Sequence, residues 1–81
     1  MEDHTENIGE LIRQAQGGDI GSYERIVIRF QSSAFSQAFS VLGDSNLAED
    51  AVQDAFVEAY QKLGSLRTPE AFVAWFHRII F

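Results

Sequence analysis

Glu49, Asp50, Asp54 and Glu58 crowd into ten consecutive residues. On a helix, steps of three and four are neighbours, so Asp50, Gln53, Asp54 and Val57 share one face and give it negative charge. Paired carboxylates can serve acid–base catalysis, but no histidine, nucleophile or glycine loop stands near them in sequence. His4 and His77 are far apart, neither has a second histidine at metal-ligand spacing, and there is no cysteine. No phosphate-binding loop or dinucleotide fingerprint is present. The chain therefore reads as a non-enzyme with no cofactor and no metal. Its chemistry is recognition: carboxylates can meet guanidinium groups of a basic partner, and Gln53 can both donate and accept hydrogen bonds. The plainer alternative is a solvated acidic face.

A second constellation lies downstream. From Asp44 to Tyr60 there are acids and no base, whereas from Gln61 onward Lys62, Arg67, Arg78 and His77 stand against Glu70 alone. The same terminal stretch holds Phe72, Trp75, Phe76 and Phe81. Aromatic rings beside arginine are suited to stacking unpaired bases. A helix rich in Phe and Trp is equally suited to a core.

Gly and Pro divide the segments that would carry these groups. Asn7 with Glu10 reads as a capping box for a first helix from Ile8 to Gln16, with Gly17 as its left-handed cap. Asp19 caps a long second helix bearing Tyr23, Ile26, Val27, Phe30, Ala34, Phe35, Ala38, Phe39 and Leu42 at helical spacing, with Ser32-Ser33 as its weak point and Gly43 as its stop. Asn46 with Glu49 suggests a third helix, Leu47 to Leu63, burying Leu47, Ala51, Val52, Ala55, Phe56, Ala59 and Leu63 and capped by Gly64. Thr68-Pro69-Glu70 opens a fourth, with Thr as N-cap and Pro at the first helical position. No segment alternates with period two. The prediction is an all-α, compact bundle of about four helices over residues 8–81, after a polar tail at 1–7.

With 81 residues, one small domain is all the length allows. A formal charge of −6 disfavours autonomous binding to nucleic acid or anionic lipid and favours a basic protein partner. No apolar run is long enough to span a membrane and the start is not a signal peptide. The chain ends on Arg78-Ile79-Ile80-Phe81 without a cap, so it reads as a fragment truncated within its last helix.

Three stretches resemble region two of the bacterial sigma-70 family, specifically its extracytoplasmic-function (ECF) group. Leu11-Ile12 through Gly18-Asp19, then Ser22-Tyr23, resembles the group's opening pattern. Ala48-Glu49-Asp50-Ala51-Val52-Gln53-Asp54-Ala55-Phe56 resembles its Ala-Glu-Asp-x-x-Gln-(Glu/Asp)-x-Phe motif. Phe72-Val73-Ala74-Trp75-Phe76-His77-Arg78-Ile79 resembles its Phe-x-x-Trp-Leu-x-Arg-Ile stretch.

The resemblance implies a helical domain that docks on the clamp coiled coil of the RNA polymerase beta-prime subunit. It implies capture of the non-template strand of the promoter minus-ten element as the duplex melts. It also implies a cytoplasmic setting, frequent restraint by an anti-sigma factor, and no catalysis. Carried over by position, the polymerase contacts are Asp50, Gln53, Asp54, Phe56, Val57 and Tyr60. The DNA contacts are Leu66, Arg67, Thr68, Trp75, Phe76, His77 and Arg78, with Trp75 and Phe76 in the place of an aromatic pair at the upstream edge of the bubble. The family loop often reads Phe-Arg-Gly-(Asp/Glu)-Ser, whereas this chain has Leu66-Arg67-Thr68-Pro69-Glu70, so the family's base specificity does not carry over. The chain also stops before the Asn and basic stretch that usually follow. Weak promoter binding is therefore expected of this chain alone. The alternative is a helical interaction module whose acidic face binds a basic protein without any role in DNA binding.

Overall fold

The computed structural model describes residues 7–81 and is all-helical over them. Its elements are α1 (Ile8–Gln16), α2 (Ile20–Leu42), α3 (Ser45–Lys62) and α4 (Phe72–Ile80), with 3₁₀ turns at Leu63–Ser65 and Pro69–Ala71. The tail read at 1–7, apart from Asn7, lies outside the described residues, and so does His4. The two N-caps predicted first are present. Asn7 Oδ1 accepts from the Glu10 amide at 3.1 Å, and Asp19 Oδ1 accepts from the Ser22 amide at 3.3 Å. Hydrogen bonds from the Ser22 hydroxyl and then its amide hold the Asp19 carboxyl below the usual carboxylate range.

Four expectations are corrected. The left-handed residue after α1 is Gly18 (φ 103°), not Gly17, whose φ is −82°. Helix α3 begins earlier than predicted, because Asp44 rather than Asn46 is the cap, its Oδ1 accepting from the Leu47 amide at 3.0 Å. Gly43 at φ 70° ends α2, so the turn between the helices is only two residues long. Gly64 sits inside a 3₁₀ turn instead of capping α3. Thr68 makes no side-chain cap, and the first turn of the fourth helix is 3₁₀. Proline at 69 supplies no amide there, so the tighter turn closes through the Ala71 amide on the Thr68 carbonyl at 2.9 Å. The Ser32-Ser33 pair does not interrupt α2, which is one continuous helix.

Helix α2 is the central element, packing against α1 on one side and α3 on the other, while α3 also carries α4. The buried stripes of α2 and α3 are rich in alanine: Ala34 and Ala38 on one, Ala48, Ala55 and Ala59 on the other. Small side chains let helix backbones approach closely. Leu47 falls off this stripe and is 55% exposed, and Phe39 and Leu42 at the end of α2 are also exposed, against expectation. Phe39 stacks on Phe35 of its own helix at 6.0 Å, and Val41 shares an open groove with His77 and Phe81.

Tyr23 ties α2 to α3. Its hydroxyl donates to the Phe56 carbonyl at 2.6 Å, and its ring lies 4.9 Å from that of Tyr60. Burial, and secondly Tyr60, push its pKa up to about 12. An unfolded tyrosine ionises near about 10, so in the alkaline window the folded chain retains a proton that the unfolded chain releases. The Tyr23 contribution is complete below about pH 10 and is lost as pH rises towards 12, on the order of 2 kcal/mol. Urea unfolding at stepped pH checks this. The wild type should lose stability over that interval more steeply than Tyr23→Phe, and parallel curves would contradict it.

Candidate functional site

The α3 stripe faces outward. Asp50, Gln53, Asp54, Val57 and Tyr60 are all exposed, Val57 by 58% and Tyr60 by 44%. The N-terminal part of this surface carries carboxylates and Gln53, and its C-terminal part is apolar. There Ile20, Tyr23, Val57 and Tyr60 line an open groove of about 330 Å³ between the start of α2 and the end of α3. Glu58 lies off this stripe, its Oε2 accepting from Lys62 Nζ at 2.8 Å. A surface graded from charge to apolar contact suits a basic amphipathic helix.

Phe56 also lines that groove, but most of its side chain is packed inward. It is 7% exposed, and its ring stacks on Phe76 at 4.5 Å and 28°. Position 56 belongs with Val52, Ala55 and Ala59 on the inward stripe, so its side chain joins α3 to α4. Phe76, placed among the DNA contacts, is buried for the same reason and stacks on Phe72 at 5.5 Å as well. Leu66 is also buried. These three residues were expected at a contact surface; in the free chain each is largely packed into the core beside more exposed candidates.

The remaining candidates stay accessible. Arg67 and Thr68 are exposed in the segment between the two 3₁₀ turns, and His77 and Arg78 are exposed on α4. Trp75 is half-buried, its ring tilted against Phe72 at 5.9 Å. One side of the indole packs against the core ring and part of its surface remains open. His77 leans on Phe81 at 4.7 Å. Aromatic and cationic groups thus share the fourth helix, and the Phe56–Phe76 stack fastens that helix to the back of the acidic one.

Sequence reading missed Gln16. Its Nε2 donates to the Leu63 carbonyl at 3.0 Å and the Leu66 carbonyl at 2.8 Å. No signal in the sequence pointed to it, because both acceptors lie far along the chain. Arg13, three residues earlier, pairs with Glu70 at 3.2 Å. Among the described residues no group of His, Cys, Asp and Glu could hold a metal ion, and no helix is long and apolar enough to cross a membrane.

Comparison with known proteins places this geometry. The family model described as Sigma-70 region 2 matches residues 26–80. The chain belongs to the sigma-70 region 2 family. The match spans most of α2, all of α3, the 3₁₀ turns and α4, and therefore includes both the acidic stripe and the aromatic helix. Similar curated proteins include the RNA polymerase sigma-H factor of Pseudomonas aeruginosa, 31% identical over 86% of this chain and 36% of that protein. The ECF RNA polymerase sigma-E factor of Escherichia coli K12 is 33% identical over 85% of this chain and 36% of its own length. The ECF RNA polymerase sigma factor SigW of Bacillus subtilis is 31% identical over 89% and 38%. The chain thus spans a little over one third of the length of the curated relatives it matches. The family's resemblance to the ECF group, first visible in Ala48–Phe56, extends over nearly the whole chain.

Proposed function

We propose that this chain is the sigma-factor region that docks on the clamp coiled coil of the beta-prime subunit of RNA polymerase and captures the non-template strand of the minus-ten element during promoter melting. The observation that carries the reading is the outward stripe Asp50, Gln53, Asp54, Val57 and Tyr60, lying on the helix that bears the family's most recognisable motif. In this role Asp50 and Asp54 meet arginines of the coiled coil, Gln53 fixes register by hydrogen bonds, and Val57 and Tyr60 supply apolar contact.

Arg67 and Arg78 hold phosphates, Thr68 offers a hydroxyl to an extruded base, and the open part of Trp75 stacks beside His77. Unstacking a base step costs a few kcal/mol, and each base–aromatic stack offsets about 1–3 kcal/mol. The polymerase must supply further contacts, because the chain as a whole is anionic. The activity requires no catalytic group of its own. It belongs in the cytoplasm with the polymerase. An anti-sigma factor covering the same stripe is the proposed regulator.

The test is selection from a pool of single-stranded DNA with a randomised stretch, using this chain bound to bacterial core polymerase. Enrichment of one sequence class, with affinity falling as salt rises, is the expected result. Retention of DNA without any sequence preference refutes strand capture.

A further inference from the structure

Arg67 and Thr68 sit in a short connection that would be free to sample many conformations without support, and the support comes from α1. Gln16 Nε2 is directed at two carbonyl oxygens, Leu63 at 3.0 Å and Leu66 at 2.8 Å. Both partners accept, so the side-chain amide must present its NH₂ to them, one hydrogen for each. Leu63 O also receives the Leu66 amide at 3.1 Å, so Gln16 closes a turn that is already bonded internally. On the far side of the exposed pair, Arg13 holds Glu70 at 3.2 Å. Gly9 makes room for that carboxylate, since a Cβ there would stand 2.5 Å from Glu70 Oε2. Gly9, Arg13 and Gln16 fall at steps of four and three, a single stripe of α1. Both ends of the segment carrying Arg67 and Thr68 are thus fastened to one helix, which lies outside the residues the family model matches.

We infer that Gln16 is a positioning residue for the strand-capturing segment: by holding the Leu63 and Leu66 carbonyls it presents Arg67 and Thr68 in one conformation before DNA arrives. The inference rests on the strand-capture reading and deepens it. A preorganised segment loses less freedom on binding, and the advantage goes to the sequence that fits the fixed shape. The effect should therefore appear in discrimination between sequences, while general affinity changes less.

Gln16→Met keeps the length and loses both donors. Gln16→Lys keeps donors on a longer stem, at the cost of an added charge that raises affinity for any DNA. Two readouts separate the inference from its foundation. In this chain without DNA, hydrogen exchange at the Leu66 amide should accelerate in Gln16→Met and return towards wild type in Gln16→Lys. In the complex with core polymerase, the ratio of affinities for the selected strand and a scrambled strand should fall about fivefold or more in Gln16→Met. Gln16→Lys should recover most of it, while affinity for core polymerase stays unchanged in both variants. Unaltered exchange and an unaltered ratio would overturn the role of Gln16 with strand capture intact. Equal losses of strand and polymerase binding would also overturn it, by showing a general effect on the fold. A wild-type complex that prefers no strand, with Leu66 exchange still controlled by Gln16, would overturn strand capture and with it the functional role of the clasp.

Discussion

Gln53→Ala combined with Asp54→Arg weakens binding to an isolated beta-prime coiled-coil peptide by about 100-fold or more, with helix content unchanged. Both side chains are exposed and lie in the middle of α3, so neither change removes a packed group. Surface substitutions of this kind usually alter stability by no more than about 0.5 kcal/mol. The effect on binding is of a different size. Asp54→Arg brings a guanidinium to the arginines that the carboxylate is proposed to meet, and like charges placed face to face cost several kcal/mol. A 100-fold loss corresponds to about 2.7 kcal/mol. Calorimetry of the peptide against wild type and variant, with circular dichroism for the fold, reads both quantities. Unchanged affinity would remove α3 from the interface.

Phe72→Ala removes most of the domain's stability. Phe72 is 1% exposed and stands where three rings converge: Phe30 at 5.7 Å, Phe76 at 5.5 Å and Trp75 at 5.9 Å. Removing a buried phenyl leaves a cavity and costs about 3–5 kcal/mol. A domain this small has a stability of the same order, near the low end of about 5–15 kcal/mol. The neighbouring Val73 is 55% exposed, and Val73→Ala should change stability by no more than about 0.5 kcal/mol. Urea titrations of the two variants check the contrast. A loss below about 1 kcal/mol for Phe72→Ala would show that α4 is not anchored through this ring. Anchoring matters because the same helix presents His77, Arg78 and the open part of Trp75.

The helices were legible in the sequence because their boundaries depend on local chemistry. Asn7, Asp19 and Gly43 act within a turn of their own position, so α1 and α2 read correctly at most of their ends. The start of α3 did not, because Asp44 and Asn46 are both good caps two residues apart, and only the abrupt turn after Gly43 selects the first. The acidic stripe was legible for a similar reason: charged positions at helical spacing have one place to go, which is outward. Phe56, Phe76 and Leu66 were harder. Position within a motif identifies a residue without saying whether it makes contact itself or supports the residue beside it. That distinction comes from α3 packing on α4, a tertiary fact. Gln16 was hidden for the same reason, since its partners are carbonyls 47 and 50 residues away. Nothing in a glutamine's identity names a distant backbone acceptor.

The most direct measurement is a titration of this chain into purified bacterial core RNA polymerase at increasing salt. The acidic stripe predicts a one-to-one complex that weakens as salt screens its charges and that Asp54→Arg largely abolishes. A chain that stays separate from core polymerase at low salt, or one that binds equally well with Asp54 reversed, would contradict the docking role assigned to α3.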